Sequence, residues 1–166
     1  MPFAGIEQPK TIVLNETYRL RKYDGSYEQA LAGYQDPVVY QNSEGIFDPA
    51  RMPDLGYVRG MFRYLDSAGE LYFIEALENG EYVAVGDVTA KPENPPIAIW
   101  YPRHRGKGLG FLAMQAVIER LRATGCRRIT GSTVYTWNAA SLALHKKLGF
   151  SVVAQTENEY ILEKEL

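Results

Sequence analysis

The spacing of apolar residues changes along the chain, and each change marks a new element. From Thr11 to Arg21, Ile12, Leu14, Tyr18 and Leu20 fall in a loose alternation that predicts a first strand. Ser26, followed three residues later by Gln29, predicts a capping box opening a short helix through Tyr34. Between Asp48 and Leu65 the pattern gives a helix start, a break at Pro53 and a fresh start capped by Asp54. Along that second piece Leu55, Val58, Phe62 and Leu65 form one stripe, and Tyr57, Met61 and Tyr64 form a neighbouring one. Each stripe is either core or the lining of a pocket.

Leu71 to Glu78 and Glu81 to Thr89 are β-rich runs joined at Asn79-Gly80, which predicts a two-residue hairpin. The proline-rich stretch Lys91 to Pro96 reads as a tight loop leading into a strand at Ile97 to Tyr101. A helix follows from Gly108 to Thr124, with Leu109, Leu112, Ala113, Ala116, Val117 and Leu121 on one side and Gly125 past its end. Arg127 to Tyr135 reads as a buried strand, and Asn138 to Leu148 as a helix ended by Gly149. Phe150 to Gln155 and Tyr160 to Lys164 make a closing hairpin. With no repeat, low-complexity tract or long linker, residues 1–166 read as one alternating α/β domain.

At 166 residues and 46% hydrophobic, the chain suffices for one well-formed core and not for two. A net charge of −2, with no long basic stretch, argues against a nucleic-acid binder. Basic residues cluster only locally, at Arg103, His104, Arg105 and Lys107, which suits one phosphorylated ligand. The single cysteine, Cys126, forms no intramolecular disulfide and no cysteine-rich metal site, and is expected to open a strand as a small apolar residue. No metal is expected. The N-terminal residues lack a signal-peptide pattern and no run is long enough to span a bilayer, so the expected setting is soluble, cytoplasmic and away from membranes.

The chemistry centres on Arg105-Gly106-Lys107-Gly108-Leu109-Gly110, between the strand at Ile97 and the helix at Gly108. Glycines there let the backbone curl around an anion, and the helix start turns several N–H groups and a favourable dipole toward it. The hexamer matches neither the Walker nor the dinucleotide fingerprint. It matches Arg-x-x-Gly-x-Gly and so resembles the pyrophosphate signature of the GNAT superfamily of N-acetyltransferases. About thirty residues on, Asn138-Ala139-Ala140-Ser141-Leu142-Ala143-Leu144-His145-Lys146-Lys147-Leu148-Gly149-Phe150 is similar to that family's Asn-x-x-Ser/Ala-x-x-Leu-Tyr-x-x-x-Gly-Phe segment. The resemblance covers residues 97 to 150 and implies a mixed α/β GNAT fold. That fold has a twisted, mostly antiparallel sheet of six to seven strands, splayed between the fourth and fifth and flanked by about four helices.

The resemblance also implies acetyl-CoA as co-substrate. Its pyrophosphate would sit on backbone N–H groups of Gly106, Lys107, Gly108, Leu109 and Gly110, with Arg105 beside it. Its pantetheine arm would lie along main-chain groups of Ala98, Ile99 and Trp100, one N–H polarising the thioester carbonyl. Asn138, Ser141 and His145, spaced three and four apart, share a helix face. Asn138 would bond the arm, with Ser141 on the same stripe. His145 stands where many members carry a tyrosine that protonates the departing thiolate. An imidazole can do this chemistry, or it can make an ordinary buried hydrogen bond.

An amine acceptor must lose a proton. The strand at Ile97 carries no acid, which leaves Asp87, Glu75 and His104 as candidate bases, with Asp87 ranked first. The expected reaction is direct attack of a primary amine on the thioester in a ternary complex. Tyr34, Tyr40, Phe47, Tyr57, Met61 and Tyr64 give the acceptor region an aromatic character, while Glu44, Asp48 and Asp54 could attract a cation. A small amine, a polyamine, an aminoglycoside-like molecule and a peptide amine all fit. A non-catalytic acyl-CoA-binding regulator is the alternative reading. Many family members pair through the closing strands, which makes a homodimer a candidate assembly.

Overall fold

The first strand read from the sequence is in fact two. Asn15 turns the chain, its Oδ1 accepting from the N–H groups of Thr17 and Tyr18, so that β1 (Thr11–Val13) and β2 (Tyr18–Lys22) pair antiparallel. The computed structural model describes residues 2–166. β1 and β2 continue into β3 (Glu70–Glu78), β4 (Glu81–Ala90) and β5 (Ile97–Ile99) as a five-stranded antiparallel sheet in chain order. Asn79 and Gly80 both adopt positive φ, 52° and 80°, as a tight hairpin of that dipeptide requires.

Three helices cover one face of this sheet: α1 (Leu31–Tyr34), α2 (Pro37–Glu44) and α3 (Leu55–Ala68). Asp48 and Asp54 cap the two turns on either side of Pro53, as expected. On α3, Val58, Phe62 and Leu65 are buried with Leu71 and Phe73, whereas Leu55, Tyr57 and Tyr64 are exposed. The first stripe is therefore core apart from Leu55. The hydrophobic pattern predicts no helix at α2, because Val38, Val39 and Tyr40 are contiguous and set no helical period. Its signal was Asp36-Pro37, a cap followed by proline in the first turn, and Asp36 Oδ1 accepts from Val38 N–H.

The opposite face packs on α4 (Leu109–Ala123), which buries Leu109, Ala113, Met114, Val117, Ile118 and Leu121 against Leu20, Tyr72, Ile74 and Val88. Arg120 fixes the far end of α4 by donating to both oxygens of the fully buried Glu70, at 2.7 and 2.8 Å.

β6 (Arg128–Tyr135), β8 (Glu159–Glu165) and β7 (Ser151–Gln155) form a second, three-stranded sheet carrying α5 (Ala139–Lys147). β6 alternates buried and open positions and is not buried throughout. The sheets meet where Asn94 N–H donates to Thr130 O at 2.8 Å and Thr130 N–H to Pro92 O at 3.0 Å, a parallel contact made by the proline-rich loop. Beyond it β5 and β6 diverge. The splay falls between the fifth and sixth strands because the first strand was two.

Candidate active site

The divergence of β5 and β6 opens a cleft of about 730 Å³. One wall is β5 and the start of α4; the other is Thr133, Val134 and Tyr135 of β6, with α5 between them and Val38, Val39 and Asn42 of α2 at one end. α5 spans the cleft. A Cβ on Gly110 would touch Leu144, and Lys147 Nζ lies 4.5 Å over the Phe111 ring, so the last turn of α5 meets the start of α4. At its other end the Asn138 side chain donates to Asn42 O of α2. Nine residues separate the two ends by about 13 Å.

At the α4 end the sequence builds an anion cradle. Gly106 and Gly108 take φ of 70° and 78°, a region that glycine enters without strain, and no atom stands within 4 Å of where a Cβ would be. Glycine is needed here for the turn and not for close packing. Gly108 is the cap residue and offers no side chain, and the first intrahelical bond runs from Leu112 N–H to Gly108 O. The N–H groups of Leu109, Gly110 and Phe111 thus have no intrahelical partner. The Arg105 side chain turns the other way. Its Nε donates to Ile99 O at 3.1 Å and its Nη2 to Trp100 O at 3.0 Å, with Asp36 Oδ2 at 3.4 Å. It ties the loop to β5 and α2, so the guanidinium is not free to face a phosphate.

Along β5 the ladder decides which main-chain groups are open. Trp100 N–H donates to Val85 O at 2.8 Å, and Ala98 O lies against Gly86, where a Cβ would meet it at 2.5 Å. In an antiparallel pair such bonded positions alternate, so Ala98 and Trp100 face β4, while Ile97 and Ile99 turn their N–H groups toward the gap. Of the three residues expected to offer main-chain contacts, Ile99 does so. Ala98 lines the cleft but spends its polar groups on β4, and Trp100 is fully buried.

On α5, Asn138 Oδ1 caps the helix by accepting from Ser141 N–H at 3.2 Å. Ser141 and His145 both line the cleft. His145 Nδ1 lies 2.7 Å from Ser141 O, and only an N–H can bond a carbonyl, so Nδ1 carries the proton. Burial lowers the imidazole pKa, and the ring packs edge-on against Phe150. In this neutral tautomer Nε2 is an acceptor.

The candidate bases lie apart. Asp87 is buried under β5 and does not line the cleft; its Oδ2 accepts from Tyr34 Oη and Trp100 Nε1, and burial pushes its carboxyl up to about 7. Glu75 is buried on β3 between Arg19 and Arg21, also away from the cleft. His104 does line the cleft. Its Nδ1 is 2.8 Å from Tyr18 Oη and its Nε2 is 3.8 Å from Glu78, and burial, then the Arg103 charge, lowers its pKa.

At the far end Phe47, Glu44 and Tyr57, read from the sequence as acceptor-region residues, meet Tyr135, Trp137 and Glu159, which carry no assigned role there. Tyr135 stacks on Trp137 at 4.6 Å and 7°, Phe47 meets Trp137 edge-on, and Trp137 Nε1 donates to Gln41 O. A Cβ on Gly45 would lie 2.7 Å from Tyr135 Oη, so α2 ends directly on that ring. Glu44 accepts from Tyr57 Oη, and Glu159 is the cross-strand partner of Tyr135.

An uncapped helix end opening on a gap between diverging strands offers backbone N–H groups to an anion beside a strand edge with open main-chain groups. The pattern of the Acetyltransferase (GNAT) family matches residues 39–150, and the chain belongs to that family. Among similar solved structures, a domain from Methanocaldococcus jannaschii superposes with a TM-score of 0.75 at 22% identity, over 91% of this chain and 100% of that one. The protein yncA of Salmonella typhimurium, solved with its cofactor acetyl-CoA, gives 0.65 at 20% identity, over 90% and 94%. These share the fold. Curated relatives match over shorter stretches. The L-methionine sulfoximine/L-methionine sulfone acetyltransferase of Pseudomonas paraeruginosa is 47% identical over 51 residues, 31% of this chain and 29% of that protein. The L-amino acid N-acyltransferase MnaT of Escherichia coli is 40% identical over 55 residues, 33% and 31%. The chain thus matches less than a third of the length of either. No helix among the described residues is long and apolar enough to cross a membrane.

Proposed function

We propose that the protein transfers an acetyl group from acetyl-CoA to a primary amine by direct attack with both substrates bound. The observation that carries this reading is the uncapped start of α4 opening on the β5–β6 gap. The donors present fit the co-substrate: the N–H groups of Leu109, Gly110 and Phe111 suit a pyrophosphate, and Ile97 and Ile99 suit an amide-bearing arm lying along the strand. Gly106, Lys107 and Gly108 shape the cradle, and Lys147 adds charge at that end. Acetyl-CoA supplies a thioester; the chain binds it, aligns it and moves a proton.

In this reading Ile99 N–H is the donor to the thioester oxygen, and Arg105, through Ile99 O and Trp100 O, holds the end of the strand just after that donor in place. Net transfer moves one proton from the amine nitrogen to the thiol sulfur. His145, neutral with Nε2 as acceptor, suits taking that proton from nitrogen and returning it to sulfur, which leaves the ring as it began. Asp87 then serves as a positioning residue for β5 through Trp100.

Calorimetric titration with acetyl-CoA, CoA and ATP, followed by thiol release with a panel of amines, tests the assignment. Micromolar binding of both CoA species, none of ATP, and amine-dependent thiol release are expected. Absence of CoA binding would overturn it.

A further inference from the structure

The end of the cleft away from α4 carries uncompensated negative charge. Glu159, the first residue of β8, lines this end, and Glu44, the last residue of α2, stands just outside the lining with its carboxylate accepting from Ser43 Oγ and Tyr57 Oη; both approach the same ring. Gly45, next to Glu44, sits on Tyr135 Oη, and Glu159 lies directly across the ladder from Tyr135. After burial, the charges of Glu159 and then Glu44 are what raise the Tyr135 phenol, and Glu44 also acts on Tyr34 and Asp87. Among the described residues neither glutamate has a basic partner within ion-pair distance, although Glu70, Glu75 and Glu78 all do. Both are half-buried, so their charge is only partly screened.

The cations of the cleft wall are elsewhere. Arg105 is spent on Ile99 O, Trp100 O and Asp36, and Lys147 lies over Phe111 at the α4 end. The rim around the two glutamates is apolar and open: Val38, Phe47, Tyr57 and Trp137 are all exposed by more than a third.

We infer that this end selects a primary ammonium on an apolar or aromatic body and rejects an amine with an adjacent carboxylate, Glu44 and Glu159 being the specificity-determining residues. The inference rests on the acetyl-transfer reading and adds the acceptor class. A free α-amino acid would bring its carboxylate toward two like charges with no cation to receive it, and a like-charge juxtaposition of this kind is costly. The aromatic rim accommodates the body of the amine, and the carboxylates draw its ammonium in; one proton leaves to solvent before the free amine attacks, and the second passes to the thiol. Such a preference departs from the amino-acid acceptors after which the relatives are named.

Matched acceptors that differ by one carboxylate test it: phenethylamine against L-phenylalanine and 3-(methylthio)propylamine against L-methionine, with L-phenylalaninamide separating charge from size. Each amine should exceed its amino acid in kcat/KM by about tenfold or more, with the amide close to the amine. Glu44→Gln and Glu159→Gln should each raise KM for the amine, leave kcat nearly unchanged and shrink the ratio. Equal or better use of the amino acids, or a ratio that neither substitution moves, overturns the assignment. Acetyl-CoA binding is measured by calorimetry on the same samples. If the unaltered protein binds none, the acetyl-transfer reading fails and this one with it; binding with the wrong acceptor order rejects the specificity alone.

Discussion

Trp100 Nε1 donates to Asp87 Oδ2 across 2.8 Å, pinning the residue that follows β5 to the strand beside it. Tyr34 Oη reaches the same oxygen at 2.7 Å, so one buried carboxylate joins α1, β4 and the edge of the cleft.

That carboxylate gives stability a readable pH dependence. Burial raises the Asp87 carboxyl to about 7 in the folded protein, above the 3.8 of an unperturbed aspartate. Between these values the unfolded chain has released a proton that the folded one keeps. The contribution therefore favours folding fully below the unfolded value, is lost as pH rises toward 7, and changes no further above that. Asp87→Asn keeps an oxygen for both donors and removes the titration. Urea unfolding from pH 4 to 8 should show the variant gaining on the parent by a few kcal/mol across that window, on the order of 1.4 kcal/mol for each step of one in pH. A constant difference would show that Asp87 titrates normally.

Gly33 is where helix and tryptophan meet. A Cβ there would lie 2.3 Å from Trp100 Cβ and 2.5 Å from Cγ, close to atoms with little room to move. Gly33→Ala should cost about 1–3 kcal/mol or more in thermal unfolding. Gly60→Ala on α3, where nothing stands within 4 Å, should be neutral or gain up to about 1 kcal/mol. Equal effects would mean that the Trp100 contact does not constrain the fold.

Charging the cradle should separate binding from folding. Gly108→Glu places a carboxylate beside the α4 N–H groups, so acetyl-CoA affinity should fall by about a hundredfold or more, a loss near 3 kcal/mol. The fold should weaken by only about 1–2 kcal/mol, the strain of a non-glycine residue at φ 78°. Unchanged affinity in calorimetry would remove the cradle from the site.

His145 should act in its neutral form. With its pKa lowered by burial, protonation on the acid side should remove the acceptor at Nε2, so kcat should fall only below the ordinary imidazole range and hold above it. His145→Phe should lower kcat by about 10²- to 10⁴-fold, abolish that acid limb and spare acetyl-CoA binding. A persisting limb would assign it to another group, with His104 next in line.

Local chemistry announced most of the elements. Asn79-Gly80, the caps at Asp48 and Asp54, and the stop at Gly149 each act over a few residues, and the structure keeps them. The cradle was legible for the same reason, since cap, turn and helix start are contiguous. What pattern reading missed depends on partners distant in sequence. Arg105 looked like a phosphate ligand because it adjoins the glycines, but carbonyls six and five residues back claim it. Asp87 reads as a base because it is an acid near β5, and only its bonds to Tyr34 and Trp100, with its burial, show that it is closed off from the cleft. Glu44 reads from the sequence as a residue that could attract a cation, but the end it forms with Tyr135 and Glu159 is assembled from α2, β6 and β8, so no single stretch of sequence contains it.

The missing cap on α4 sets stability against function. A carboxylate reaching those N–H groups from a neighbouring position, free of the strain that a side chain on Gly108 itself would meet, would add about 0.3–1 kcal/mol to the protein and would take the same interactions from the ligand. The free chain is therefore held below the stability its fold could reach. Substitutions that make it hardier at this turn are the ones that blunt its affinity, so thermal hardening of the protein has to come from elsewhere in the molecule.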